Sequence, residues 1–449
     1  MHVPGIWQKL YRLISFQQFR HQEPSLIRPI DEAPLRAELF SIDQLERHAK
    51  IIAASHKLAS GQARDELLPR LDENQRILNE TYDLVAAAED LNRRIEPAAE
   101  WLLDNFYLVE EQIRAIRRLL PPSYSRELPR LANGPAVSYP RVYDIALELI
   151  AHVDGRIDAH SLDSFIASYE SVQTLKLGEL WALPLMLRLA LIENLRRVAV
   201  RIAAARRDRD LANDWADRMV KVVEQKPTDL ILVLADMART NPNLSGAFLA
   251  ELTRHLQGQN PNFAFANSWL EHRLADQVLT IEQVVHTEGQ AQAVDQVSIG
   301  NSINSLRFLN SNDWRLFIEK HSLVERTLTG DPSHIYAQMD FATRNRYRRA
   351  VEGIARRSKF TEYDVALKAV QLAENHASDN PEDRAAHVGY YLIDHGRPVL
   401  ECLVEMRLTP AVMLDKLRRR FPLICYLSSM TFFILAATIL FFAAPTIPV

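Results

Sequence analysis

The sequence predicts an all-α protein, a multi-helix cytoplasmic bundle or irregular helical array followed by one carboxy-terminal transmembrane helix. Three observations carry that class. Glycine is scarce, 13 of 449 residues, about 3% against a usual ~7%, which disfavours turn-dense β architectures and low-complexity disorder. Apolar residues recur at steps of three and four over long stretches, the period of a helix with one buried face. Leu423–Ala444 (LICYLSSMTFFILAATILFFAA) runs for 22 residues without a charge, and at ~1.5 Å per residue it covers about 33 Å, enough to cross a hydrocarbon core. The apolar content of 47% and charged content of 24% are ordinary globular values, and the length allows two or three domains.

In chain order, residues 1–38 form an extended or interfacial segment. Trp7, Leu10, Tyr11, Ile14 and Phe19, with Lys9, Arg12 and Arg20 among them, fit either a basic amphipathic helix lying on a bilayer or a helix packed on the body. Pro24, Pro29 and Pro34 then keep the chain extended. Residues 39–120 form a long amphipathic helical region. Ser41 and Gln44 stand at capping-box spacing before a helix over Asp43–Leu58. The clearest stripe follows: Leu78, Tyr82, Val85, Ala88, Leu91, Ile95, Ala98, Leu102, Phe106, Val109, Ile113, Ile116 and Leu120. Pro97 inside it predicts a kink or break near Glu96.

Pro121-Pro122 ends that region, and residues 121–140, rich in proline, read as a linker or ordered loop. The helical body spans 141–415. Within it Gly178–Ala205 is the expected core helix, with Trp181, Leu185 and Ile192 deeply buried and Pro184 near its first turn; Arg188, Glu193, Arg196 and Arg197 exclude a membrane span there. After Arg206–Asp210 come short helices near 211–225, 228–239, 245–257, 264–275 and 278–285, resembling stacked pairs without a residue-level repeat. The polar stretch 286–314, with Gly289, Gly300 and several Asn and Ser, reads as a loop-rich joint. Helices return at 313–328, 336–357 and 361–375, the last opened by Thr361 and Asp364 at capping-box spacing, before a charged break over 378–383.

Balanced charge, 53 basic against 57 acidic side chains, gives no electrostatic footprint for nucleic acid. The two cysteines, Cys402 and Cys425, provide neither a disulfide framework nor a thiolate zinc site, and a reducing compartment fits. Residues 5–20 are too interrupted by Gln8, Lys9 and Arg12 for a secretory signal. Lys416, Arg418, Arg419 and Arg420 before the apolar segment place residues 1–420 in the cytoplasm by the positive-inside bias. The chain stops five residues past the span, so the expectation is either a tail-anchored protein or the front of a longer polytopic one.

The search for chemistry assigns no catalytic, cofactor-binding or metal-binding residue. Asp208-Arg209-Asp210 has the letters of a metal-diphosphate motif but follows an arginine-rich helix end rather than a strand, and reads as a solvated charge run. No tryptophan follows an arginine, no glycine-rich phosphate loop occurs, and no His-x-x-x-His pair starts a metal set. His48 with His56, and His387 with His395, read as structural or solvated. Arg346-Tyr347-Arg348-Arg349 within Thr343–Arg357 reads as a solvated face balanced by neighbouring acids rather than a lipid or phosphate contact.

Longer strings carry more information. Leu39–Leu58 (LFSIDQLERHAKIIAASHKL), WLLDNFYLVEEQIRAIRRLLP within Asn92–Pro121, Glu179–Ala199 (ELWALPLMLRLALIENLRRVA), Gln296–Trp314 (QVSIGNSINSLRFLNSNDW) and MDFATRNRYRRAVEGIA within Tyr336–Ala355 resemble the amino-terminal region of bacterial cyclic β-1,2-glucan synthases. The resemblance covers nearly all of residues 39–420. It implies a helical cytoplasmic region at the bacterial inner membrane, preceding a UDP-glucose-dependent glycosyltransferase that needs a divalent metal and further carbohydrate-active domains. The implied partners are the bilayer and those downstream domains. Every transferase motif would then lie beyond Val449, no cofactor is expected in this chain, and the chain alone is not expected to transfer glucose. The competing class is a self-contained tail-anchored helical adaptor. A sugar-cleaving helical body would instead need two carboxylates converging in a cleft.

Overall fold

The computed structural model describes residues 35–59, 65–256, 263–275, 279–380 and 383–407, with scattered positions between 423 and 438. Among them every regular element is a helix; two isolated bridges, Leu58 with Leu131 and Arg130 with Pro140, are the β pairings seen. The described residues divide into two compact units, one running to Thr174 and resuming at Trp181–Trp314, the other comprising Leu175–Leu180 and the chain from Arg315.

The first unit opens with α1 (Ile42–Ser55), where Ser41 and Gln44 cap each other's backbone and Leu45, Ala49, Ile52 and Ala53 are buried. The helix stops three residues before the expected Leu58. The long stripe divides into α2 (Leu67–Asp90), α3 (Pro97–Asp104) and α4 (Phe106–Leu119). Pro97 is the first residue of α3, where its missing N–H costs nothing, so the predicted break near Glu96 is present. A second break at Asn105 was not expected. Leu78, Val85, Ala88, Ala98, Leu102, Val109, Ile113 and Ile116 are buried, whereas Leu91, in the turn after α2, is exposed. Residues 121–140 hold α5 (Pro122–Glu127) and an ordered loop that buries Leu128, Leu131 and Ala136.

Next come α6 (Arg141–His152), α7 (Ala159–Glu170) and α8 (Leu177–Gln225). The last is one helix of 49 residues, running through Arg206–Asp210, where a boundary had been expected. Leu185 is 7% and Ile192 0% exposed, as predicted, but Trp181 is half-buried. Because α8 starts at Leu177, Pro184 lies in its third turn rather than its first and removes the helical bond to the Leu180 carbonyl. The second half of α8 packs Trp215 and Met219 against Leu234 and Met237 of α9 (Leu230–Thr240), Phe248 and Leu252 of α10 (Gly246–Leu256) and Leu270 of α11 (Ala264–Ala275).

The loop-rich joint over 286–314 is wrong. That stretch belongs to α12 (Ile281–Ser311), opened by a Thr280–Gln283 capping box. Its serines face inward: Ser298 and Ser302 accept from the Asn194 amide at 3.2 and 3.1 Å, while Ser305 accepts from Ile157 N at 2.8 Å and donates to Gly155 O at 2.7 Å. Gly155 has φ +73, and a Cβ there would lie 2.7 Å from Ser302 Oγ, so that close approach requires glycine.

The second unit contains α13 (Trp314–His321) from Arg315 onward, α14 (Leu323–Leu328), α15 (Phe341–Ala355), α16 (Glu362–Asp379), α17 (Val388–Ile393) and α18 (Arg397–Leu403). Thr361 and Asp364 form the predicted capping box of α16. Tyr336, Tyr347, Val351, Val365, Leu392 and Leu400 belong to its core. Among the described residues no helix is long and apolar enough to cross a membrane. The span expected over Leu423–Ala444 falls mostly outside those residues, and the segment 1–34 entirely so.

Candidate functional site

The long helix α8 carries several of the buried charged side chains of the first unit, among them Glu193, Arg196, Arg206 and Arg209. Asp208-Arg209-Asp210 is not the solvated run expected from its letters. Asp210 pairs with Arg93 and Arg206, Asp208 accepts from Ser245 Oγ at 2.6 Å, and Arg209, its side chain 7% exposed, pairs with Glu96 and with Glu288 at 3.4 Å. Burial pushes the Asp210 carboxyl up, but Arg206 and Arg93 outweigh it and hold it below the usual range. The two aspartates have different partners, Asp210 two arginines and Asp208 a hydroxyl at the start of α10, so the tripeptide ties α8 to neighbouring segments rather than presenting a diphosphate-metal pair.

About four turns upstream on the same helix, Glu193 is almost wholly buried and receives three arginines: Arg70 through Nε at 3.0 Å and Nη2 at 2.7 Å, Arg196 at 2.9 Å and Arg197 at 2.8 Å. Burial pushes this carboxyl up, yet Arg196, Arg70 and Arg197 bring it down to about 2. Asp295 on α12 has the opposite balance. Its Oδ2 meets Arg201 at 3.1 Å while its buried Oδ1 has no hydrogen-bond partner among the described residues. Burial dominates and raises it to about 6, with Glu288 and Asp154 adding to the effect against Arg201 and Arg36.

In the second unit the basic stretch of α15 corrects another expectation. Its acids are indeed neighbours and Arg346 and Arg349 are exposed as expected, but Arg348 is not solvated: it is 0% exposed, 2.7 Å from Glu325 and 3.4 Å from Glu319, and it lies 4.8 Å from the Phe341 ring. Arg344 reaches Glu325 at 2.8 Å and Glu319 at 2.9 Å, and Tyr336 donates to Glu325 at 2.7 Å. His387 sits 2.7 Å from Asp331 and 3.1 Å from Ser333 Oγ through the same Nδ1, with Tyr347 on Nε2 at 3.3 Å. Acid and hydroxyl share one nitrogen, so no nucleophile–base–acid relay forms; the group pins the turn at residue 331 to the start of α17. His395 is exposed.

Two further groups lie in the first unit. An open cleft beside α3 is lined by Glu100, Trp101, Asp104, Asn105, Gln296 and Arg307. Glu100 and Asp104 are one turn apart on a single helix face, whereas glycoside cleavage needs carboxyl groups flanking the scissile bond; this cleft lacks that arrangement. His56 is a satisfied core histidine, 2.8 Å from Tyr169 OH and 3.0 Å from Asp144. His48 instead joins Glu148 and His152 of α6, with ligand-capable atoms all within 4.8 Å of one another. A search for His-x-x-x-His misses this trio; the Glu148-x-x-x-His152 spacing was its only sequence signal.

Fold and sites together define a helical body whose ionisable side chains mostly hold helices together. No protein-family profile matches the chain. The cyclic beta-(1,2)-glucan synthase NdvB of Rhizobium meliloti (strain 1021) is 32% identical over 371 residues, 82% of this chain but 13% of that protein. The similarity to cyclic β-1,2-glucan synthases read from the sequence is thereby borne out, and the chain corresponds to a small part of the length of such an enzyme.

Proposed function

We propose that the helical body is a non-catalytic scaffold within a cyclic β-1,2-glucan synthase, bracing a transferase that uses UDP-glucose and a divalent metal elsewhere in the enzyme. The observation that carries this reading is the 371-residue similarity to a synthase of which it covers 13%. The engagement of Asp210 and Glu193 in ion pairs and of Asp208 in a hydrogen bond from Ser245 supports it, since these carboxylates are committed to structural contacts. The same similarity disfavours a tail-anchored adaptor unrelated to carbohydrate.

The membrane reading belongs to the same proposal: Leu423–Ala444 anchors the body to the bacterial inner membrane, with residues 1–420 cytoplasmic. The charge-free run supports it, as do the helical conformation and exposure of Leu423, Leu427, Phe433, Ile434 and Leu435, an arrangement that water penalises and lipid does not.

Deleting the matching stretch from the R. meliloti enzyme tests the scaffold. Cyclic glucan output should be lost and should return when this chain's residues 39–420 are spliced into the gap. Undiminished output from the deleted enzyme would overturn the proposal.

A further inference from the structure

His48 on α1 and Glu148 and His152 on α6 make a donor set that the ion-pair architecture does not require. His48 Nε2 is 2.9 Å from Glu148 Oε2, and His152 Nε2 is 3.7 Å from the same oxygen. Ligands ~2.0–2.2 Å from a tetrahedral zinc-type ion stand about 3.4 Å apart; the two carboxylate separations bracket that spacing and the three ligand atoms lie within 4.8 Å of one another, so side-chain adjustment without movement of the helices would bring them to coordinating positions.

The orientation of His152 is the second observation. Its Nδ1 lies 2.8 Å from the Glu38 carbonyl, which accepts a hydrogen bond from the Nδ1–H and leaves the Nε2 lone pair facing Glu148. At 3.7 Å the Nε2–carboxylate contact is beyond hydrogen-bonding range, so it is an ordinary pairing for neither atom. A backbone carbonyl on the far nitrogen is how proteins orient a ligating histidine. Phe40 stacks on the His152 ring at 3.9 Å and 8°, and the His48 ring meets it edge-on at 4.3 Å. Ala37 N donates to Ala151 O and Phe40 N to His152 O, fixing this wall against the end of α6. His152 is the last residue of that helix, where the negative end of the dipole favours a cation. His48 and Glu148 remain partly exposed, at 23% and 32% of their side chains, leaving a solvent side for water to complete the coordination.

We propose that His48 Nε2, His152 Nε2 and the Glu148 carboxylate bind one divalent ion of the zinc class, with water in the remaining position, clipping α1 to the end of α6. Two imidazoles and one carboxylate suit zinc and its first-row neighbours better than magnesium or calcium, which prefer all-oxygen shells.

Cobalt(II) is the probe. The full chain, purified in detergent and stripped with chelator, should take up one Co²⁺ with visible ligand-field absorption of low-coordinate N/O type, and equimolar Zn²⁺ should abolish the bands. His48→Ala, His152→Ala and Glu148→Gln should each weaken uptake by at least the ~10–100-fold that outer-shell changes cause, with helical circular dichroism retained, whereas His395→Ala should bind normally. Glu148→Gln, at a partly exposed position, decides the matter should a histidine variant unfold. Absence of the bands in the wild-type chain, or uptake that survives Glu148→Gln in folded protein, overturns the site.

Discussion

Both units bury charge, but they distribute it differently. In the first, one acid, Glu193, answers three arginines; in the second, two acids, Glu319 and Glu325, share two arginines and a tyrosine. Glu193 is the more sensitive point, because three arginines converge on this one almost wholly buried carboxylate and its loss removes their shared countercharge from a low-dielectric interior, Arg70 keeping Glu73. The paired acids are redundant, since each arginine keeps a partner when Glu319 is lost.

The largest expected effect follows directly. Glu193→Gln should destabilise the fold by about 3–5 kcal/mol in denaturant unfolding, the cost of breaking a buried pair. It should also change the acid limb of the stability curve. With the folded carboxyl at about 2 and an ordinary value of 4.5, Glu193 contributes stability that is complete above pH 4.5 and lost as pH falls towards 2. The variant should lack that part of the slope. A loss below about 1 kcal/mol would erase the contrast between the units.

Asp295 sharpens the contrast from the other side, being buried with too little positive charge. Its folded carboxyl keeps a proton up to about 6, while the ordinary value is 3.8, so ionising it opposes folding as pH rises between those values. Asp295→Asn should therefore stabilise the protein by about 1–2 kcal/mol at pH 7 and bring no gain at pH 4, after allowing for the lost Arg201 pair. Equal stability changes at both pH values would contradict the assignment. The smallest effect belongs to Glu319→Gln, about 1 kcal/mol, because Glu325 still reaches both Arg344 and Arg348.

What the sequence made legible follows the same physics. Apolar stripes and capping pairs marked α1 to α4 and α16, because one-sided burial of large side chains leaves a helical period in the letters. The helix α12 was misread because its inward face uses Ser298, Ser302 and Ser305 beside Ile299, Ile303 and Leu306. The period is there, but small polar residues at such steps resemble a loop until Asn194 and the turn at Gly155 are known to face them. Trp181 shows the reverse: an apolar neighbourhood in sequence did not make it a core residue. Charge was hardest to read, since Arg348 and Arg209 look solvent-exposed until Glu325 and Glu96 are brought to them by contacts distant in sequence. The trio of His48, Glu148 and His152 was half visible as a four-residue spacing on α6; its third member comes from another helix.

The central claim is that this body supports glucosyl transfer without performing it. Supplying the purified full chain with radiolabelled UDP-glucose and Mg²⁺ or Mn²⁺, then counting label on protein and in oligosaccharide, tests that claim most directly. The account predicts label no higher than in heat-denatured controls. Incorporation by chain free of any full-length synthase would contradict it and demand a catalytic centre in the helical body.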